Sequence, residues 1–299
     1  MSISHYLKDI GRGKEGARPI SRVAAADLMG QVLDGAVSDL EIGAFCLAMR
    51  IKGETSEEMA GFLDATHQRL NKVATAGVPT VVLPSYNGAR KLPVLTPLLA
   101  LLLAREGVAV VLHGMATEDR RVSSEAVWAA LGQSLNPSGL SVQAGQVLWV
   151  PTAQLHTGLA RLLSVRRVVG LRNSGHSLVK HMNPCTGPAL VVGSYTHPEY
   201  LQSMAATFAL TGQHALLLRG TEGEPVADVR RTPAMDVFKN GSTRRVQTPH
   251  DGPLQHLPHL PPMDALATAA YIEQVLQGQL AVPEPLSLQV QHILQEVKP

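Results

Sequence analysis

Two hydrophobic periodicities divide this chain. Up to about residue 72 the apolar positions recur at helical spacing, and from Thr80 onward short β-branched and aliphatic runs alternate with helical stretches. Ser38 with Glu41 and Thr55 with Glu58 match the capping box, in which side chains satisfy the free N–H groups of a helix start. The helix after Ser38 carries Ile42, Ala44, Phe45, Leu47, Ala48 and Met49 and is apolar nearly all round. It is therefore expected to be buried on more than one side, with the same helix of a second subunit as partner. The helix after Thr55, with Met59, Phe62, Leu63, Thr66 and Leu70, has an ordinary core stripe. Strands are predicted at Thr80–Leu83, Val108–Leu112, Val147–Val150, Leu190–Tyr195 and Ala215–Arg219. Predicted helices cover Thr96–Glu106, a stretch ending near Gly132, Pro198–Leu210, Ala265–Leu276 and Leu286–Val297. Pro84 to Pro93 and the Pro-, Gly- and His-rich stretch Gly241 to Pro262 read as loops. Strand–helix–strand repetition predicts an α/β fold, a mostly parallel sheet whose ligand crevice lies at the carboxyl ends of the strands. The expected organisation is a helical domain over 1–72 and an α/β domain over 73–299, with a segment near 150–180 as a candidate to pack on the helical domain.

Composition narrows the class. Hydrophobic residues make up 45% and aromatics 4%, which favours packed helices and parallel strands over a sandwich. Met1 to Lys8 has no apolar signal region, and the longest apolar run, Leu98 to Ala104, is too short to span a bilayer. Cys46 and Cys185 give neither a zinc spacing nor a disulfide framework. A soluble, cytoplasmic protein without a membrane partner is expected. The net charge of +2 conceals an asymmetry: from Ala126 to Pro198 there is no Asp or Glu, yet Arg161, Arg166, Arg167, Arg172, Lys180, His156, His176, His181 and His197 all fall there. A one-signed surface suits a phosphate-rich partner, because displaced counterions favour binding. A solvated basic face, or pairing with acids from other segments, is the alternative.

A family comes into view through particular residues. Leu28-Met29, Val32-Leu33-Asp34-Gly35, Ser38-Asp39, Ala44-Phe45 and above all Arg50-Ile51-Lys52-Gly53-Glu54-Thr55 resemble the N-terminal domain of the anthranilate phosphoribosyltransferase and pyrimidine nucleoside phosphorylase family. Gly107, His113-Gly114, Ser123-Ser124, Ala130-Leu131-Gly132, Gly170-Leu171-Arg172 and Asn183-Pro184 continue the match. The resemblance implies a small helical domain that dimerises, a larger α/β domain, and a phosphoribosyl crevice between them.

The motifs that carry the family's chemistry have changed. The enzymes place a GTGGD loop after the first strand, where glycines let backbone amides approach a pyrophosphate. Here those positions are Pro84, Ser85, Tyr86, Asn87 and Gly88, and the following Asn–Ile–Ser–Thr is Val94, Leu95, Thr96 and Pro97. The Lys-His-Gly-Asn run retains only His113 and Gly114, between Leu112 and Met115. The Asp–Glu pair that holds magnesium falls at or near Pro225 and Val226, with Glu222, Glu224 and Asp228 close by as a possible displaced metal site. His250, His256 and His259 are irregularly spaced in the Pro-rich loop and read as solvent-exposed rather than as ligands. No GxSxG elbow, HExxH or P-loop is present. No catalytic residue, cofactor or metal is therefore expected, and Ser85, Tyr86, Asn87, Gly88, His113 and Gly114 are read as a degenerate phosphoribosyl crevice.

Positive charge stands where catalytic residues are missing. Arg172-Asn173-Ser174-Gly175-His176-Ser177 and the Lys180-His181 before Asn183-Pro184 resemble the non-enzymatic, DNA-binding YbiB-like subgroup of the family. That resemblance implies a homodimer binding DNA or RNA with little sequence preference. Arg90, Lys91, Arg120, Arg121, Arg166, Arg167, Arg172, Lys180 and His181 are the expected nucleic-acid contacts, through phosphates that confer affinity without base readout. Arg230, Arg231, Arg244 and Arg245 are weaker candidates, and Arg12, Lys14, Arg18 and Arg22 weaker still. Two alternatives remain: a phosphoribosyltransferase or phosphorylase with altered substrate, and a small-anion or nucleotide sensor whose crevice is lined by Tyr86, His113 and Lys180.

Overall fold

The computed structural model describes residues 2–13, 15–251 and 259–298. The N-terminal third forms α1 (Ser4–Ile10), α2 (Arg22–Leu33), α3 (Asp39–Lys52) and α4 (Ser56–Arg69). Both expected capping boxes form: Ser38 with Glu41 opens α3, and Thr55 with Glu58 opens α4. Each cap contributes about 1 kcal/mol. Glu58 does more than cap, because its fully buried carboxylate also accepts from Lys52 Nζ at 2.6 Å and from the Ile20 amide at 3.0 Å, tying three segments together. Phe45 and Phe62 meet edge-on, with ring centroids 5.9 Å apart, at the centre of this bundle.

The remainder builds a seven-stranded sheet in the order β3-β2-β1-β4-β5-β6-β7. Strands β1 (Thr80–Ser85), β2 (Ala109–Gly114), β3 (Val147–Pro151), β4 (Leu190–Tyr195) and β5 (Ala215–Arg219) are parallel. Their near-continuous apolar sequences follow from burial on both faces. Val82, Ala109, Val111 and Val191 face the helical bundle, whereas Val81, Leu83, Val110 and Leu112 face α5 (Thr96–Arg105), α6 (Ser124–Ala130), α11 (Ala265–Leu276) and α12 (Glu284–Val297). Helix α10 (Pro198–Thr211) closes a third cluster through Met204 and Phe208 against Ala215, Leu217 and Phe238.

Two parts of the architecture depart from the sequence reading. β6 (Met235–Lys239) and β7 (Ser242–Gln247) form an antiparallel hairpin, and β7 lies in the stretch read as loop. Its signal was Asn240-Gly241, whose φ values of 51° and 79° suit a two-residue hairpin turn; the polar, largely exposed strand gave no apolar run. The second is a group of helices, α7 (Thr152–Leu155), α8 (Thr157–Val169) and α9 (Ser174–Leu178). Leu155, Leu159, Leu162, Leu163 and Leu178 are buried in the same cluster as Leu28, Phe45 and Phe62, so the helical layer draws on both regions. Among the described residues no helix is long and apolar enough to cross a membrane.

Candidate anion-binding cleft

A cleft of about 670 Å³ opens between the α3–α4 corner, α9, α10 and the carboxyl ends of β1 and β4, where a parallel sheet places its ligand crevice. Its floor is shaped by the loop after β1 and the turn Gly220–Glu224 after β5. Glu224, 1% exposed, lies on that loop. Its carboxylate accepts from the amides of Asn87 and Gly88, both at 2.8 Å, and from Thr96 Oγ1 at 3.1 Å and Ser124 Oγ at 3.3 Å. The Ser85 hydroxyl also donates to it. Glu222 accepts from the next amides along: Arg90 at 3.0 Å, Lys91 at 2.8 Å and Leu92 at 3.1 Å. A buried carboxylate stays in place only when donors replace its water, and these backbone and hydroxyl groups do so. Two glycines permit the fit. Gly88 has φ +60° and a Cβ there would meet Val122 O at 2.7 Å; Gly223 has φ +87° and its Cβ would fall 1.9 Å from Asn87 Nδ2.

These contacts decide how magnesium pyrophosphate, the ligand implied by the family resemblance, would fare. The amides of the loop after β1 already point at the chain's own carboxylates, and both carboxylates are turned onto N–H and O–H donors. Asp228 pairs with Arg230 at 2.7 Å. The residues present do not fit magnesium pyrophosphate in this arrangement, nor a displaced metal site at Glu222, Glu224 and Asp228.

The cleft wall carries Arg50, Arg90, Arg121, Arg172 and Lys180 together with Glu54, Glu199 and Glu222. Arg172, His176 and Lys180, spaced by four, line it together. Arg172 donates to Asn87 Oδ1 at 2.8 Å, and burial with neighbouring Arg166 and Arg121 lowers its pKa to about 10. Lys180 Nζ donates to the carbonyls of Ser194 at 3.0 Å and Gly223 at 2.9 Å. Burial, then the charge of Arg172, lowers the Lys180 pKa to about 7 against the opposing pull of Glu224. Burial and then Arg172 lower the His176 pKa to about 3, and its Nε2 has no partner among the described residues. Arg50, at the end of α3, is exposed at the same cleft. Among the described residues, Arg50, Arg172 and Lys180 have no carboxylate within ion-pair distance.

The expected contact residues separate into groups. Arg172, Lys180, His181, Arg90 and Arg121 line the cleft, although His181 is 2% exposed and packed at a tilt against Phe208, with its pKa lowered to about 4 by burial. Lys91 and Arg120 are exposed, outside its lining. Arg166 and Arg167 are tied to acids just outside the acid-free window, Glu118 and Asp119, at 2.5 Å each. Arg121 pairs with the same Glu118 at 2.9 Å, Arg90 approaches it at 4.0 Å, and Arg161 reaches back to Asp39 at 2.6 Å. The acid-free window is thus neutralised in part from other segments, and a bare basic stripe through Arg166 and Arg167 is not what folds. Arg244 and Arg245 pair with Glu296 and Asp236.

The expected crevice residues also divide. Asn87 lines the cleft, and Ser85 and Gly88 hold Glu224. Tyr86 and His113 do not line it: Tyr86 Oη meets His113 Nδ1 at 2.8 Å inside the core, and burial lowers the His113 pKa to about 3. Gly114 sits beneath Thr152, its carbonyl accepting from the hydroxyl at 3.0 Å. Pairing of β1 with β2 sets His113 beside Pro84 and Gly114 beside Ser85, a register the sequence does not display. His250 and His259 are exposed, and His256 and Lys14 lie outside the described residues. Missing from the sequence reading were Arg50 and His176 as cleft groups; His176 lies within α9, with Arg172 just before that helix and Lys180 just after it.

Comparison with known proteins agrees with this architecture. Residues 4–69 match the family model described as the glycosyl transferase family, helical bundle domain. YbiB of Escherichia coli K12, an uncharacterised protein, is 38% identical over 298 residues, covering 97% of this chain and 92% of that protein. An anthranilate phosphoribosyltransferase of Anaeromyxobacter dehalogenans is 27% identical over 289 residues, covering 94% of this chain and 84% of the enzyme. Among solved structures, anthranilate phosphoribosyltransferase from Thermus thermophilus superposes with a TM-score of 0.74 at 20% identity, covering 97% of this chain and 87% of that one. The Saccharomyces cerevisiae enzyme in complex with PRPP and Mg gives 0.66 at 14% identity, covering 99% and 86%. At these identities the solved structures establish the fold alone.

Proposed function

The chain belongs to the anthranilate phosphoribosyltransferase-like glycosyl transferase family, and from that premise we propose that it binds nucleic acid through phosphate contacts instead of transferring a phosphoribosyl group. One observation carries the reading. The loop that would cradle pyrophosphate is filled by Glu222 and Glu224, while Arg50, Arg172 and Lys180 remain in the cleft without a carboxylate at ion-pair distance. Such cations bind a sugar–phosphate backbone without regard to sequence. Exposed Arg90, Lys91 and Arg120 extend the positive rim. The scarcity of aromatic residues leaves base stacking a minor contribution. Gel-shift titration with single-stranded DNA at two salt concentrations tests the proposal: binding should weaken steeply with salt. Salt-independent binding, or none, would overturn it.

A second reading, a phosphoribosyltransferase with an altered acceptor, is favoured by the identity to anthranilate phosphoribosyltransferases over most of the chain. It requires the Gly220–Glu224 turn to leave the loop when substrate binds. Phosphoribosyl pyrophosphate with magnesium should then raise the melting temperature of the wild-type protein, and an unchanged melting curve would remove this reading.

A further inference from the structure

Glu222 and Glu224 do for the loop after β1 what an oxyanion does for a nest of backbone amides. Together they take the amides of Asn87, Gly88, Arg90, Lys91 and Leu92. Hydroxyls from Ser85, Thr96 and Ser124 complete the set on Glu224. No cation lies within ion-pair distance of Glu224 among the described residues, so neutral donors alone hold it, as in a phosphate nest. The turn that delivers these carboxylates also reaches the cleft. The Gly223 carbonyl accepts from Lys180 Nζ at 2.9 Å and from Ser194 Oγ at 2.6 Å. The Glu222 carbonyl accepts from Asn87 Nδ2 at 2.7 Å, and Asn87 Oδ1 holds Arg172. The backbone is strained to achieve this: Glu222, a residue with a full side chain, has φ 51° and ψ 22°. A non-glycine residue keeps that conformation only where surrounding contacts over-determine it.

We propose that the Gly220–Glu224 turn is a tethered internal anion: it fills a latent oxyanion site in the loop after β1 and, by doing so, fixes Arg172 and Lys180 in the cleft. A phosphate or pyrophosphate entering the loop must expel the turn, and the expulsion takes the Gly223 carbonyl from Lys180 and the Glu222 carbonyl from Asn87, the residue that holds Arg172. Occupancy of the loop and the arrangement of the cleft are therefore one coupled equilibrium. The inference stands on the loop alone, so it holds or fails independently of nucleic-acid binding.

The test uses the full chain and inorganic pyrophosphate, with chelator present so that no metal contributes. Glu222→Ala/Glu224→Ala should melt below wild type, and pyrophosphate should restore its melting temperature where sodium chloride of equal ionic strength does not. By titration calorimetry its affinity for pyrophosphate should exceed that of wild type by about tenfold or more, as removal of a competing charged acceptor implies. If the double variant does not fold, Glu222→Ala alone bares the amides of residues 90–92 and should show the same gain on a smaller scale. Equal affinity in wild type and folded variant, or recovery by chloride as complete as by pyrophosphate, would overturn the proposal. Loss of DNA binding in an otherwise pyrophosphate-responsive variant would speak only to the nucleic-acid reading.

Discussion

At Lys180 a single side chain joins burial, charge and function. Its ammonium is surrounded by carbonyl oxygens and faces Arg172, and its pKa is lowered from 10.5 to about 7, by burial first and Arg172 second. Because the folded value lies below the unfolded one, the unfolded chain holds the extra proton between these limits. Stability should therefore rise as pH increases from about 7 towards 10.5. Melting curves across that window should show the rise in wild type and a flatter profile in Lys180→Met. DNA affinity should move the opposite way, falling as pH passes through about 7 and losing that dependence in the same variant. A wild-type protein with no pH dependence in this range would remove Lys180 from the binding surface. Gly223 offers a purely structural counterpart. Gly223→Ala places a Cβ 1.9 Å from Asn87 Nδ2 at φ +87°, so a loss of roughly 2–4 kcal/mol is expected in denaturant titration. The sequence disclosed Arg172 and Lys180 as cations within motifs that resemble the phosphoribosyltransferase family. It could not disclose that Lys180 faces carbonyl groups, because those arrive from β4 and from the turn after β5, many residues away.

Helix α3 illustrates how periodicity informs and misleads at the scale of an element. The sequence reads it as apolar nearly all round, and the structure resolves two faces. Ile42, Phe45, Cys46 and Met49 enter the bundle core, while Leu40, Leu47 and Ile51 stand 83%, 47% and 58% exposed. Leu40, Ala44, Leu47 and Ile51 recur at helical spacing along one solvent-facing stripe, which is the pattern of a surface meant to be covered. We propose a homodimer through this face. Leu47→Asp/Ile51→Asp should yield a monomer by light scattering with an unchanged helical circular-dichroism spectrum, since exposed substitutions alter stability by only about 0.5 kcal/mol. A monomeric wild-type protein would defeat the proposal. The parallel strands were legible because burial on both faces demands continuous apolar runs. The β6–β7 hairpin was not, since its outer strand, Ser-Thr-Arg-Arg-Val-Gln, is polar and mostly exposed, leaving Asn240-Gly241 as its only local mark.

Across the whole molecule, charge is where sequence order and spatial order part. The acid-free window leaves open a one-signed surface or pairing with acids from other segments, and folding brings Glu118, Asp119 and Asp39 onto Arg166, Arg167 and Arg161. What remains for a polyanion is local: Arg50, Arg172 and Lys180 within the cleft, and Arg90, Lys91 and Arg120 as exposed cations beyond or around its mouth. If these six cations each displace one counterion from a single strand, log K against log salt should have a slope of about −4 per protomer. A twofold dimer engaging one strand across both clefts would double that slope. Which cations contribute is separable. Arg167→Ala removes a charge already paired with Asp119 at the surface and should leave both affinity and slope nearly unchanged. Arg50→Ala/Arg172→Ala should weaken binding at low salt and flatten the slope by about 1.4 per protomer, with oligomeric state preserved. The reverse outcome, in which Arg167 matters and the cleft pair does not, would transfer the binding surface to the α8 side of the molecule and leave the cleft for a small ligand.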